Sequence, residues 1–469
     1  MFCQLETLRH CFPPNLRQFL NELPDSLDET YERILKGINK AQKEDARRLL
    51  QCLTVAARPL RVEELAEILA FDFQTNQRGI PTLREDWRWN DVEQAVLSTC
   101  SSLIAIVRNR DSRVVQFSHF SVKEYLTSPR LAQSHGDVSR FYLDLKAAHT
   151  ILAQACLGTL LRLYEKAGNS GSEGFPLAEY AAHHWVEHAQ FENVSSRIRD
   201  GMDDLFDSSK PHFAAWLRTH DMDERWDVFG SGCRDAIGSP LYYAALCGFY
   251  DLAERLIIEH PEQVNVAGGL NLAPLPAALS KRHFRVADLL SKHGAVVDVR
   301  DQWKWTPLHV TAEIFGSVDI MRWLLNHGAN ASAQTIFRET PLHRAALNAN
   351  LEATQVLLEY NPDIGLRDDD GDTPLHDILF KLGRSLEWKE VEIVRRLLEY
   401  GSDANIRPRD GSTPLHQASS HGSLEVARLL LSHGANVDEQ DDHGRTPFQV
   451  AWSDEMRKLL LKHGAVPPP

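Results

Sequence analysis

From about residue 238 to residue 465 the chain repeats one arrangement of apolar and polar positions. Each round opens on a hydroxyl or small residue, then Pro, then Leu. The phrases are Ser239-Pro240-Leu241-Tyr242, Ala273-Pro274-Leu275-Pro276, Thr306-Pro307-Leu308-His309, Thr340-Pro341-Leu342-His343, Thr373-Pro374-Leu375-His376, Thr413-Pro414-Leu415-His416 and Thr446-Pro447-Phe448-Gln449. Their prolines lie 34, 33, 34, 33, 40 and 33 residues apart. A threonine before a proline predicts a helix start, because the hydroxyl caps free N–H groups and Pro at the first helical position loses no needed donor. A second apolar stripe follows, as in Val394, Leu397 and Leu398 or Val426, Leu429 and Leu430, and has the spacing of a helix face. Gly294, Gly328, Gly401, Gly434 and Gly464 then fall where a helix ends in a left-handed residue. The pattern predicts helical pairs with Leu308, Leu342, Leu375 and Leu415 pointing inward and the following His bridging neighbouring turns. No pair can bury its own apolar face, so the pairs must stack.

The front half has a different rhythm. Leu16, Phe19, Leu20 and Leu23 predict one helix, stopped by Pro24. Ser26 and Glu29 have the spacing of a capping box for the next, which carries Tyr31, Ile34, Leu35 and Ile38. Leu49, Leu50 and Leu53 predict a third helix, broken at Pro59. Val62, Leu65, Ile68 and Leu69 predict a fourth, and Val92, Ala95, Val96 and Leu97 a fifth. The period then changes to that of strands at Leu103 to Val107 and Val114 to Phe117, with a polar turn from Arg108 to Arg113. Phe141, Leu145, Ala148, Ile151, Leu152, Ala155 and Leu160 return to helical spacing. Gly168 to Gly174 reads as a loop, and a helix with Leu177, Tyr180, Ala181, Trp185 and Ala189 follows. In the connector from Lys210 to Gly232, Trp216 and Trp226 are expected to cover the first repeat.

A period near 33 with Thr-Pro-Leu-His opening each unit resembles the ankyrin repeat. The front half resembles fungal NACHT–ankyrin (STAND-type) proteins. The resemblance is carried by Leu23-Pro24-Asp25-Ser26-Leu27-Asp28-Glu29-Thr30-Tyr31, by Arg58-Pro59-Leu60 with Glu64-Leu65-Ala66, and by Phe117-Ser118-His119-Phe120-Ser121. There these phrases follow the NACHT nucleotide-binding domain, and the winged helix carries the name of a GPI inositol-deacylase. The resemblance implies a mostly α chain, with a helical and winged-helix N-terminal region before an ankyrin α-solenoid of about seven units. The expected domains are a helical segment over 1–43, a winged helix over 44–130, a helical connector over 131–235 and the repeats over 236–469. The phosphate loop of that ATPase, Gly-x-x-x-x-Gly-Lys-Ser/Thr, has no counterpart in this sequence, so nucleotide binding transfers to no residue here. The expected role is non-catalytic protein recognition, as a sensor or scaffold of a NACHT-type regulator. The alternative is the C-terminal part of a STAND signalling NTPase whose nucleotide-binding domain is missing from this chain.

Composition narrows the partners. The 469 residues carry a formal net charge of −14, which argues against nucleic acid or an acidic membrane surface. No apolar run reaches the length of a spanning helix. Seven scattered cysteines without a Cys-x-x-Cys pair predict reduced thiols and a cytoplasmic or nuclear setting.

Several chemistries can be tested on the residues. His184-Trp185-Val186-Glu187-His188 fits a zinc-peptidase pattern, but no third protein ligand can be assigned. No Gly-x-Ser-x-Gly elbow exists for an esterase. A winged helix can read DNA through its third helix, yet that helix offers Asp91 and Glu93 and no Lys or Arg to meet phosphate. We therefore expect no enzyme activity, no cofactor, no metal and no small-molecule substrate.

The expected binding surface is the row of hairpin tips between repeats, where stacking leaves side chains free. The candidates are Trp303, Lys304, Phe337, Arg338, Asp369, Asp370, Arg409, Asp442 and His443. Lys304 and Arg338 stand where Gly371, Gly411 and Gly444 supply the turn glycine, so those two turns are expected to be reshaped. For Trp303 and Phe337 the alternative is packing on neighbouring tips, and Trp305 sits where a large residue often packs. The 40-residue interval predicts an insertion around Lys381 to Lys389, within which Trp388 is expected either to anchor a partner or to close over the core.

Overall fold

A computed structural model describes residues 26–74, 80–89, 91–109, 112–134, 136–163, 174–220, 238–269, 272–381, 388–409 and 411–467. The helix expected at Leu16 to Leu23, most of the Gly168 to Gly174 loop, Arg110 and Trp226 lie outside these residues. The chain forms two compact units, one of Met1–Glu224 with Asp251–Arg255 and one of Arg225–Tyr250 with Leu256–Pro469.

The front unit starts with α1 (Leu27–Gly37), capped by the Ser26 hydroxyl, which accepts from Glu29 N at 3.2 Å. Then come α2 (Lys43–Val55), β1 (Leu60–Arg61), α3 (Val62–Leu69), β2 (Phe71–Asp72), β3 (Thr82–Leu83), α4 (Val92–Cys100), β4 (Ile104–Asn109) and β5 (Ser112–Phe117). The order β1-β5-β4 makes a three-stranded antiparallel sheet beside the helices, which is the winged-helix layout. The hairpin turn is tighter than the sequence pattern predicts. Arg108 pairs with Arg113 and Asn109 with Ser112 within the ladder, because cross-strand hydrogen bonds run on past the last apolar residue. Arg113 is held by Glu63 at 2.5 Å and Glu93 at 2.8 Å, so this charge of the wing is already answered by carboxylates.

α1 rests on α5 (Phe120–Leu126): the Tyr31 hydroxyl is 2.7 Å from Ser121 Oγ, and the Tyr31 and Tyr125 rings are 5.4 Å apart. Further along, α6 (Leu145–Leu160) packs against both α2 and α7 (Ala178–Gln190). Trp216, on α8 (Pro211–Thr219), is fully buried against Trp185 and Phe206 and donates from Nε1 to Ala182 O at 3.2 Å. The expectation that Trp216 covers the first repeat is therefore wrong. Its apolar bulk closes the core of the front unit.

In the second unit the repeated pattern becomes helix pairs. Their inner helices are Pro240–Leu246, Pro274–Ser280, Pro307–Glu313, Pro341–Leu347, Pro374–Lys381 and Pro414–His421. Their outer partners are Tyr250–Glu259, Phe284–Lys292, Val318–Asn326, Leu351–Glu359, Trp388–Glu399 and Leu424–Ser432. Leu308, Leu342, Leu375 and Leu415 are buried, as their phase requires. The seventh phrase departs from the other six. Residues 447–450 form a turn, and the helix Asp454–Lys462 follows, so this unit is reduced rather than a full pair.

Lys304 and Arg338 have φ of 58° and 61°, beside 81° at Gly371 and 72° at Gly444. Each of these tips closes with the same bonds: Asp301 N to Trp305 O, Thr335 N to Glu339 O, Asp368 N to Asp372 O and Asp441 N to Arg445 O. The two turns without glycine are thus not reshaped; the bonds on either side hold a lysine and an arginine in the left-handed region. That conformation costs a non-glycine residue about 1 kcal/mol or more, partly offset by the unfolded-state entropy that glycine would add. Lys304→Gly is expected to stabilise the repeats by about 0.5 kcal/mol, measured as a higher midpoint in urea.

Candidate functional site

Three kinds of contact hold the tips. In four of them one side chain turns back on the backbone. Asp301 Oδ1 accepts from Trp303 N at 2.8 Å and Trp305 N at 2.7 Å. Asp368 does the same for Asp370 and Asp372, and Asp441 for His443 and Arg445. Thr335 Oγ1 takes this place in the fourth repeat, accepting from Phe337 N at 3.2 Å. Such Asx-type turns fix a hairpin without a strand ladder.

Between tips the backbone is bonded from unit to unit. Ile336 N–H donates to Trp303 O at 3.0 Å, Asp369 N–H to Phe337 O at 3.0 Å and Arg409 N–H to Asp370 O at 3.2 Å.

The signature histidines hold the tips from behind. His309 Nδ1 accepts from Thr306 N at 3.2 Å, and its Nε2 lies 3.2 Å from Glu339 O of the next tip. His343 links Thr340 to Asp372 O, and His416 links Thr413 to Arg445 O, in the same way. An Nδ1 that accepts from N–H assigns the proton to Nε2, which then donates to the carbonyl. Burial pushes His309 and His343 down to about 4, so both rings are neutral at pH 7.

This frame leaves the candidate side chains outside. Trp303, Lys304, Phe337, Arg338, Asp369, Asp370, Asp442 and His443 are exposed. Trp303 and Phe337 are 41% and 49% exposed, and their rings stack with centroids 6.3 Å apart and planes 17° apart. They form one aromatic plate across two tips. Arg409 joins the row through its backbone. Asp442 is engaged by Arg407 at 3.2 Å. Trp305 lies under the Arg344 guanidinium, 4.7 Å from it, in keeping with a packing role. Trp388, the first residue of its helix, is 69% exposed.

Sequence reasoning missed Arg344 and Asp377. They occupy the same place in successive inner helices, directly after Thr-Pro-Leu-His. A polar residue there gives no sign by itself of facing the tips.

The His184 and His188 pattern does not form a metal site. His188 is buried, with Nε2 at 2.8 Å from the Tyr180 hydroxyl and Nδ1 at 2.9 Å from His149 Nδ1. Both nitrogens are used inside the protein, and burial with the neighbouring His149 and His184 holds the ring near 3. Among the described residues no three His, Cys, Asp or Glu side chains are grouped to hold a metal. Cys52, Cys100, Cys156 and Cys247 are free and buried. Burial pushes Cys52 and Cys100 up to about 12, far from a reactive thiolate. No helix among the described residues is long and apolar enough to cross a membrane.

Comparison with known proteins agrees with this architecture. Residues 241–335 and 382–468 match ankyrin repeats (3 copies), and residues 324–376 match ankyrin repeats (many copies). Residues 31–137 match the GPI inositol-deacylase winged helix domain. The azaphilone pigments biosynthesis cluster protein L of Monascus ruber is 32% identical over 301 residues, which are 60% of this chain and 61% of that protein. The human ankyrin repeat and SOCS box protein 16 is 33% identical over 241 residues, 49% of this chain and 52% of that protein. The chain thus spans between half and three fifths of the length of these relatives. The crystal structure of the ankyrin repeat domain of Bcl-3 aligns with a TM-score of 0.43 and 28% identity, over 48% of this chain and 98% of that one. The protein therefore carries ankyrin repeats and a winged helix of the inositol-deacylase type, and ankyrin repeats serve protein–protein interaction.

Proposed function

We propose that the protein is a non-catalytic recognition scaffold whose partner protein docks on the tips of the third to sixth repeats. The observation that carries this reading is the contrast within the tips. Their backbones are fixed by inter-tip bonds, with turn acceptors in the third to fifth repeats and histidine bridges to the fourth and fifth tips, while Trp303, Phe337 and their charged neighbours stay outside. Pre-ordered backbone lowers the entropy lost on association, and exposed aromatics beside charge are the residues that dominate interface energy. The finer reading, a sensor of a NACHT-type regulator, rests on the front-half phrases, and its placement inside the cell on the scattered cysteines.

Trp303→Ala combined with Phe337→Ala tests the tips. The pair is expected to weaken binding of a captured partner by tenfold or more and to shift Tm by no more than about 3 °C. A large loss of Tm with partner binding intact would make the plate a packing element and remove the proposal. The signalling-NTPase alternative calls for a phosphate loop in frame upstream of Met1, which a genomic and transcript reading would reveal.

A further inference from the structure

Lys304 and Arg338 hold, at the third and fourth tips, the left-handed conformation that Gly371, Gly411 and Gly444 supply in later tips. A side chain kept at such a position against backbone strain calls for a use. Arg282 shows what an internal use looks like. It is also left-handed, with φ of 60°, and its guanidinium reaches Asp319 and donates to Gly316 O at 2.6 Å. Lys304 and Arg338 have no such partner: among the described residues nothing meets either cationic head. Beside them Trp303 and Phe337 form the stacked plate, and the bond from Ile336 N to Trp303 O fixes the two tips side by side.

The surrounding charges leave this pair of tips cationic. Asp301 is 9% exposed, with Oδ1 turned back on Trp303 N and Trp305 N. Glu313 and Glu339 are answered by Arg344, at 3.1 and 3.4 Å, and that guanidinium lies over Trp305. Burial and then Asp368, Asp372 and Glu339 push the Asp377 carboxyl up to about 8, so at pH 7 it is mostly uncharged. Arg300, exposed directly before the third tip, adds a further positive charge. The fifth tip carries Asp369 and Asp370, both exposed, and there the sign reverses.

An aromatic plate flanked by unpaired cations fits an anion that also carries apolar surface. A carboxylate makes charge-assisted hydrogen bonds with a guanidinium or an ammonium, and an apolar side chain next to it covers the rings. A basic segment would meet Lys304 and Arg338 instead. Nucleic acid draws its affinity from many phosphate contacts, and this small group of cations on a chain of net charge −14 does not provide them. We propose that the third and fourth tips receive an acidic segment of the partner protein, its carboxylates on Lys304 and Arg338 and an apolar side chain between them on the Trp303–Phe337 plate. This rests on the protein-recognition reading and narrows it to one class of partner. The acidic balance of the whole chain is screened beyond about 8 Å at physiological salt, so the local cations decide the contact. The acidic part of the segment stops at the fourth tip, because Asp369 and Asp370 repel it beyond.

The test uses the full chain and two labelled pools of short peptides, followed by fluorescence anisotropy. Both pools fix one phenylalanine, flanked by glutamates in the first and by lysines in the second. A labelled oligothymidine is the third probe. The acidic pool is expected to bind at least tenfold more tightly than the basic pool, and to lose most of that advantage between about 50 and about 500 mM salt. Lys304→Gly with Arg338→Gly is expected to weaken acidic-pool binding by tenfold or more and to raise the urea midpoint, since glycine relieves both turns. A merely structural pair would not combine a gain in stability with a loss of binding. Lys304→Glu with Arg338→Glu is expected to reverse the preference toward the basic pool. Equal affinity for the two pools, no binding of the acidic pool, or unchanged binding by the glycine pair would each overturn the assignment. Oligothymidine bound more tightly than the acidic pool would overturn it in favour of nucleic acid. Basic-pool binding that is lost in Trp303→Ala with Phe337→Ala would overturn the charge class alone and leave the tips as the recognition surface.

Discussion

Replacing His309 and His343 together by glutamine is expected to remove about 4 kcal/mol of acid sensitivity from the repeats. Each ring falls from an ordinary value of 6.5 to about 4 in the folded chain. The unfolded chain then binds more protons than the folded one between those two values. A histidine of this kind contributes its full stability above pH 6.5 and loses it as the pH falls toward 4. At pH 5 the loss is about 2 kcal/mol for each ring. Burial is the main cause, and the geometry gives a second: a protonated Nδ1 would point its hydrogen at the N–H of Thr306 or Thr340, which are donors themselves. His416 is lowered for the same reason. Asp377 works in the opposite direction, since its raised value means stability lost as pH rises from 3.8 toward 8. Glutamine is a suitable replacement because the seventh phrase already uses it, with Gln449 Oε1 accepting from Thr446 N at 2.8 Å. The flexible glutamine chain loses more entropy than the rigid ring in holding both the Thr N–H and the next tip, so a loss of about 1 kcal/mol for each site is expected at pH 7.5. Urea titrations at pH 7.5 and pH 5 measure both effects. An unchanged gap between the two pH values would show that the rings do not govern it.

Glu64→Ala is expected to destabilise the front unit by about 3 kcal/mol. Glu64 is fully buried at the start of α3 and accepts four hydrogen bonds. Two come from the Arg58 guanidinium at 2.9 and 2.7 Å, one from Arg61 N at 2.7 Å and one from Arg61 Nε at 2.8 Å. Burial alone would raise the carboxyl, but the bonds from Arg58 and Arg61 outweigh it and hold Glu64 below the usual range. Its stability is thus present above about pH 4.5 and lost as pH falls below. Alanine leaves the Arg61 N–H and two guanidinium groups without this acceptor, whereas Glu64→Gln keeps part of the set and should cost less. Thermal unfolding followed by near-UV circular dichroism, where Trp185 and Trp216 report, measures the difference. Equal Tm values for wild type and Glu64→Ala would mean that the ion pairs contribute nothing net.

The repeats were readable because their signals are local. Thr, Pro, Leu and His act within one turn of helix, and the first six phrases start inner helices where their prolines predict, with His309, His343 and His416 bridging onward to the next tip. The winged helix was readable for the same reason, apart from β1, whose pairing with β5 brings together residues more than fifty apart. What remained hidden depends on such distant neighbours. Glu64 reads as an ordinary surface acid until Arg58 folds over it. Trp216 reads as a lid for the repeats until Trp185 and Phe206 enclose it. Asp377 shows its conflict only when the tips at Glu339 and Asp368 arrive. The aromatic and charged tip residues were legible as a surface, because stacking leaves nothing else for them to do. Which charge would dominate it was not legible.

The longest interval between phrases has a consequence for how such an array tolerates change. The inner helix of the fifth pair ends at Lys381 and its outer partner begins at Trp388, yet Arg409 still meets Asp370 across the following tip at 3.2 Å. The longer interval between these two helices leaves the hydrogen-bonded row of tips unbroken. The junction between the helices of a pair is therefore free to change in length while the tips must keep step. A graft of foreign sequence between Lys381 and Trp388 should be accepted where the same graft at Asp369 would part the row.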